Sequence, residues 1–132
     1  MKNYLSLLFS ILLVLITSCK NDDDSLKIDG EGAKSNYLIN NQSEEILFYN
    51  ANTSIQIAPG EAKEIYYYAD FGLPSPPLPS FGLQSLTLYR DANNNETIAL
   101  EINPIIDEDW IEEIISSDIS NFTLTVTSEM IN

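Results

Sequence analysis

The chain has 132 residues, enough for one ordinary domain and too few for two of full size. Six Lys and Arg stand against twenty Asp and Glu, a net charge of −14, with one Cys and no His. Such a charge offers no positive surface to nucleic-acid phosphates, one Cys forms no intramolecular disulfide, and without His the common zinc sites and Ser-His or Cys-His catalysis are excluded.

Met1 to Asn3 form a short basic start, and from Tyr4 to Ile16 only Ser6 and Ser10 interrupt an apolar run. A membrane-spanning helix needs roughly 20 apolar residues, so this run is too short to cross and reads as the apolar part of a secretory signal peptide. Ile16-Thr17-Ser18-Cys19 follows, an aliphatic residue, two small ones and the single Cys of the chain. That tetrad resembles a bacterial lipobox. The resemblance implies cleavage before Cys19 and lipidation of its thiol, which makes Cys19 an anchor and not a nucleophile. Lys20-Asn21-Asp22-Asp23-Asp24 then resembles the Lys-then-acidic export signal of Bacteroidota surface lipoproteins, with Asn21 interposed. Lys20, Asp22, Asp23 and Asp24 are the residues that carry it. The resemblance implies a lipid-anchored outer-membrane protein facing the cell exterior, the alternative being one that faces the periplasm. Residues 1–18 are thus a signal peptide and 19–35 the lipidated Cys with a flexible acidic tether, whose few large apolar residues bury too little surface to offset ordering entropy. Within it, Asp24-Ser25-Leu26 resembles the O-glycan acceptor triplet of the same bacteria.

Residues 36–132 form the single folded domain, with Lys63 and Arg90 against fifteen carboxylates. Tyr37 and Ile39 alternate with polar neighbours, and Ile46 to Tyr49 is a short apolar run after a polar turn. Ile55 and Ile57 alternate until Pro59-Gly60 stops the strand, since Pro fixes φ and Gly accepts positive φ. Ile65 to Tyr68 re-extends. Leu83 to Tyr89 and Glu96 to Ile102 flank the polar residues 91–95 as a hairpin, and Phe122, Leu124 and Val126 alternate with threonines. About seven short strands at this spacing predict an antiparallel β-sandwich, immunoglobulin- or fibronectin type III-like. In 107–117, Trp110, Ile111, Ile114 and Ile115 fall at helical spacing behind a capping-box pair, Asp109 and Glu112, which predicts a short helix; a strand beginning at Trp110 is the alternative.

Three places invite a functional reading. The segment from Phe71 to Leu83 holds Phe-Gly-Leu twice with four prolines between the copies. Pro removes donors and enforces extended backbone, so it is a stiff loop outside the sheet, with Phe71, Leu73, Leu78 and Phe81 as its binding surface. The leading expectation, however, folds it across the open end of the sandwich with both Phe rings plugging the core, the binding surface being the alternative. Tyr66, Tyr67, Tyr68 and Trp110 are candidates for an aromatic platform for sugars, although core and cross-strand packing explains most of them; alternation puts Tyr67 opposite Tyr66 and Tyr68, so at least one ring is expected to be exposed. Asp91, Asn93 and Asn95 match positions 1, 3 and 5 of a calcium loop, but Glu96 stands where Gly is needed and Ile102 where a Glu ligand belongs, so the stretch reads as a solvated hairpin tip. The cluster Asp107, Glu108, Asp109, Glu112 and Glu113 reads as a wet face. No cofactor is implied, and the abundance of carboxylates gives no particular acid-base pair. The chain is similar to small lipoproteins of Bacteroidota. The expectation is a non-catalytic module, held to the membrane by its N-terminal lipid, that binds an outer-membrane protein or a glycan; the alternative is a structural envelope component without a specific ligand.

Overall fold

The computed structural model describes residues 32–51, 53–92 and 97–131, all within the compact unit Glu31–Asn132. Eight strands form two four-stranded sheets. β1 (Ala33–Asn41), β4 (Ala62–Asp70), β7 (Trp110–Ser116) and β8 (Ile119–Val126) make the first in the order β4-β1-β8-β7. β2 (Leu47–Asn50), β3 (Ser54–Ile57), β5 (Leu86–Tyr89) and β6 (Ile98–Ile102) make the second in the order β3-β2-β5-β6. The sandwich predicted from the alternation is therefore present, with eight strands in place of about seven. One pairing was not visible in the alternation: β1 and β8 run parallel, with Tyr37 beside Phe122 and Ile39 beside Leu124. Parallel neighbours require a long crossover, and here the crossover is the entire remainder of the domain.

The core follows directly from the period-two pattern. β1 turns Ala33, Ser35, Tyr37, Ile39 and Asn41 inward, and β8 turns Ser120, Phe122, Leu124 and Val126 inward. Leu47, Ile57, Leu86, Leu88 and Leu100 meet them from the second sheet. β1 begins at Ala33, three residues ahead of the strand read from the sequence, because its first inward positions are the small residues Ala33 and Ser35. These are buried without being large, so an apolar count misses them.

The predicted helix over 107–117 is not formed. Asp107–Asp109 is a single 3₁₀ turn, and Trp110 leaves it with extended backbone to begin β7. Pairing with β8 decides the matter, placing Trp110 beside Leu124 and Glu112 beside Phe122. Ile111 and Ile114 fall on opposite faces of β7 and are both exposed, so the isoleucines do not follow the apolar-in, polar-out alternation of a half-buried strand and their spacing fits a helix. Pro59-Gly60 turns as expected, with Gly60 at φ 76°.

Asn41 closes the end of β1. Its side-chain amide donates to the Glu45 carbonyl at 2.8 Å and to the Ile57 carbonyl at 3.0 Å, and its oxygen accepts from the Ser43 amide at 3.0 Å and the Ser43 hydroxyl at 2.6 Å. A fully buried amide with every group satisfied ties β1, the following turn and β3 together. Asn41→Ala removes the buried bonds to the Ile57 carbonyl and from the Ser43 amide and hydroxyl, at a loss of about 2–4 kcal/mol. Asn40→Ala, which gives up only an exposed bond from Gln42, serves as the near-neutral control. Urea denaturation of both variants checks the contrast.

Candidate functional site

The Pro-rich segment leaves β4 through a tight turn in which the Asp70 carboxylate accepts from the Gly72 amide at 2.8 Å. Gly32 lies against this turn, where a Cβ would collide with the Asp70 carbonyl and the Phe71 backbone. The chain then runs extended to Leu78 and closes with one helical turn, α1 (Pro79–Gly82), that the sequence reading did not include. Pro79 suits its first position, where no amide hydrogen is needed and φ is already helical.

β1 holds this segment from beneath. The Ser35 hydroxyl donates to the Pro77 carbonyl at 2.7 Å, and the Tyr37 hydroxyl lies 3.2 Å from the same carbonyl and 3.4 Å from that of Leu78. The 3₁₀ turn holds it from the side: the Asp107 carboxylate accepts from the Ser80 amide and hydroxyl, both at 2.7 Å. Pro77, Pro79 and Leu83 are the buried residues of the stretch. These residues and the anchored carbonyls face inward, and the expected plugging of the core by Phe71 and Phe81 does not occur. Phe71 is 81% exposed and Phe81 59%. Phe81 rests its ring edge-on against Tyr68, with centroids 5.5 Å apart. Leu73, Pro74, Pro76, Leu78 and Phe81 line an open hollow of about 350 Å³. That volume is in the range of small-ligand clefts, and its lining includes no carboxylate, amine or thiol. The arrangement offers shape and apolar contact, which is what binding an apolar or aromatic side chain requires.

Tyr67 is not part of this surface. It pairs with Asn36 on the outward side of β4, is 58% exposed, and carries the Lys34 ammonium 5.1 Å from its ring centroid. Trp110 is buried and packs edge-on against Tyr37, whereas Tyr66 stacks between Tyr37 and Tyr67 and is 41% exposed. Tyr66 and Tyr67 border a second groove of about 760 Å³ between β3 and β4, with Ile55 and Glu64. Two members of the acidic cluster have structural partners: Asp107 holds Ser80, and Glu112 accepts from the Ser120 hydroxyl at 2.7 Å. Asp91 is exposed, while Asn93 and Asn95 lie outside the described residues, as do Cys19, Lys20, Asp22, Asp23, Asp24 and the triplet Asp24-Ser25-Leu26. Among the described residues no group of Cys, Asp and Glu side chains is arranged to hold a metal ion. Sequence reasoning missed the two hydroxyl anchors, since Ser35 and Tyr37 carry no motif and lie about forty residues from what they hold.

Burial pushes the Tyr37 hydroxyl up to about 12 from its ordinary value of 10.0. The folded protein keeps this proton where the unfolded chain releases it, so the stability it contributes is complete below pH 10 and is lost as the pH rises from 10 toward 12. Tyr37→Phe should cost about 1–2 kcal/mol at pH 8, where the hydroxyl bond is intact. By pH 11 that gap should narrow by about 1 kcal/mol, because the wild type alone carries the alkaline penalty at this site. Gly82→Ala tests the same contact by volume, since the added Cβ meets the Tyr37 ring and hydroxyl. A loss of about 1–3 kcal/mol in chemical denaturation is expected.

Compared with protein-family models, with curated proteins and with solved structures, the chain matches none.

Proposed function

We propose that this chain is a lipid-anchored lipoprotein of the outer membrane, displayed at the cell surface, whose sandwich is a non-catalytic binding or accessory module for an outer-membrane protein. Cys19 is its lipid attachment point, with Lys20 and the acidic run Asp22 to Asp24 as its export signal. The observation that carries the binding role is the apolar surface of Phe71, Leu78 and Phe81, exposed on a segment fixed by prolines and by three side-chain anchors. Exposed aromatic rings on ordered backbone lose little conformational entropy on binding, and buried aromatic anchors dominate protein interfaces. A net charge of −14 keeps the anchored domain hydrated and repels anionic surfaces. A glycan is the second reading, favoured by the exposed Tyr67 ring beneath Lys34.

Crosslinking in intact native cells, followed by recovery of the tagged protein, tests both anchor and surface. One dominant partner should be recovered with Cys19 intact and lost with Cys19→Ala, which should also shift the protein out of the membrane fraction. Phe71→Ala with Phe81→Ala should reduce recovery at least about tenfold, with circular dichroism unchanged and melting lowered by only a few degrees, since the rings contribute to binding and Phe81 gives up one edge contact with Tyr68. Equal recovery of that double variant removes the Pro-rich surface from the interaction. Loss on Tyr67→Ala alone transfers the role to the outward face of β4.

A further inference from the structure

β7 is the last strand of its sheet, bonded to β8 on one side, and no described strand pairs with its other side. Exposed edges invite strand addition, and proteins blunt them with charged side chains (Lys above all), Pro, bulges or inward-pointing charges. This edge is exposed, apolar and acidic. Ile111 and Ile114 are 69% and 73% exposed. No Lys or Arg follows Arg90 anywhere in the sequence, and Asp107, Glu108 and Asp109 lead into the strand. Glu108, Asp109 and Glu113 form no ion pair among the described residues, whose two salt bridges lie at Lys63 and Arg90. The bulge after Ile114 ends the regular edge there, since it twists the strand away.

Register gives the chemistry of the missing neighbour. Residues two apart share a face, so Ile111 and Glu113 lie on the outward side and Glu112 and Ile114 on the inward side. Directly opposed cross-strand residues interact, opposite charges favourably and like charges unfavourably. The run Ile111-Glu112-Glu113-Ile114 therefore calls for apolar, basic, basic, apolar, and because it is palindromic the same complement serves a parallel or an antiparallel partner. A second copy is a poor occupant: antiparallel pairing centred on this run sets a Glu opposite a Glu. We propose that the free edge of β7 is a strand-addition site for an extended segment of a partner protein carrying paired Lys or Arg residues between apolar ones. Main-chain hydrogen bonds supply affinity, and Glu112 and Glu113 select the basic pair. This surface is separate from that of Phe71 and Phe81, so neither stands or falls with the other.

The test uses the purified full-length chain and a capped octapeptide, Thr-Thr-Val-Lys-Lys-Val-Thr-Thr. Backbone amide NMR with hydrogen exchange should show binding with new protection confined to β7 and its immediate neighbours. N-methylation of alternate peptide nitrogens should weaken binding at least about tenfold, since it removes the ladder donors while keeping the charge. The variant Glu112→Gln/Glu113→Gln should weaken it by about tenfold while preserving the bond from Ser120. Failure to bind at millimolar concentration overturns the proposal. So does equal binding of the N-methylated peptide or of Thr-Thr-Lys-Val-Val-Lys-Thr-Thr, which reports charge attraction without strand pairing. Protection at another edge, or dimerisation of the free protein through β7, assigns that edge or that occupant instead.

Discussion

The inward row of β1 is the constraint on which the other elements depend. Ala33, Ser35, Tyr37, Ile39 and Asn41 are all buried, and the strand they belong to pairs with β4 on one side and β8 on the other. Three of the five are polar, and each polar group has a specific partner: Ser35 and Tyr37 on the Pro-rich segment, Asn41 on the turn and on β3. A net hydrogen bond is worth only about 1 kcal/mol, whereas a buried group left unpaired costs more. These groups therefore act less as adhesive than as addresses. The isoleucine and the tyrosine ring fill the core, while the hydroxyls and the amide dictate which segment lies over each of them. Shape and polarity agree at Tyr37, whose ring meets Tyr66, Trp110 and Phe122 while its hydroxyl reaches the loop.

Asp107 joins the two exposed apolar surfaces. Its carboxylate fixes Ser80 at the head of α1, and its backbone opens the 3₁₀ turn that delivers the chain into β7. A residue that read as one member of a solvated acidic face thus positions the Phe81 side of the Pro-rich segment and the start of the acidic edge. Its neighbours behave differently. Glu112 is held by Ser120, and Glu113 is left to the solvent side of the same strand. An acidic run in sequence is divided by a two-residue period into groups that hold structure and groups that face outward.

Much of the sandwich was legible because alternation of apolar and polar residues is the direct imprint of a half-buried sheet. β8 and the β5–β6 hairpin follow from Phe122, Leu124 and Val126 and from the polar residues between Tyr89 and Ile98. The start of β1 was not legible, since Ala33 and Ser35 are buried as small residues beneath a proline segment and leave no apolar signal. β7 was misread because Ile111 and Ile114 lie exposed on opposite faces of an edge strand, which removes the alternation that marks a half-buried one, and only pairing with β8 resolves the ambiguity. The Pro-rich segment was legible as a stiff excursion and illegible in its facing. Which side of such a segment is buried depends on donors forty residues away, here Ser35 and Tyr37, and those donors capture carbonyls and leave the Phe rings outside.

The two apolar surfaces differ in what they offer a partner. On the Pro-rich segment four prolines remove main-chain donors, and the Pro77 and Leu78 carbonyls face β1 hydroxyls. The recognition proposed there therefore rests mainly on side-chain shape and ring packing. At β7 the balance reverses, because a strand edge presents main-chain donors and acceptors that any extended chain can satisfy. Selectivity must then come from the side chains flanking that ladder, and the paired glutamates provide it while discouraging self-pairing. A net charge of −14 favours repulsion between copies at both surfaces. In the reading proposed above, that repulsion leaves the two apolar patches open to partners of different charge.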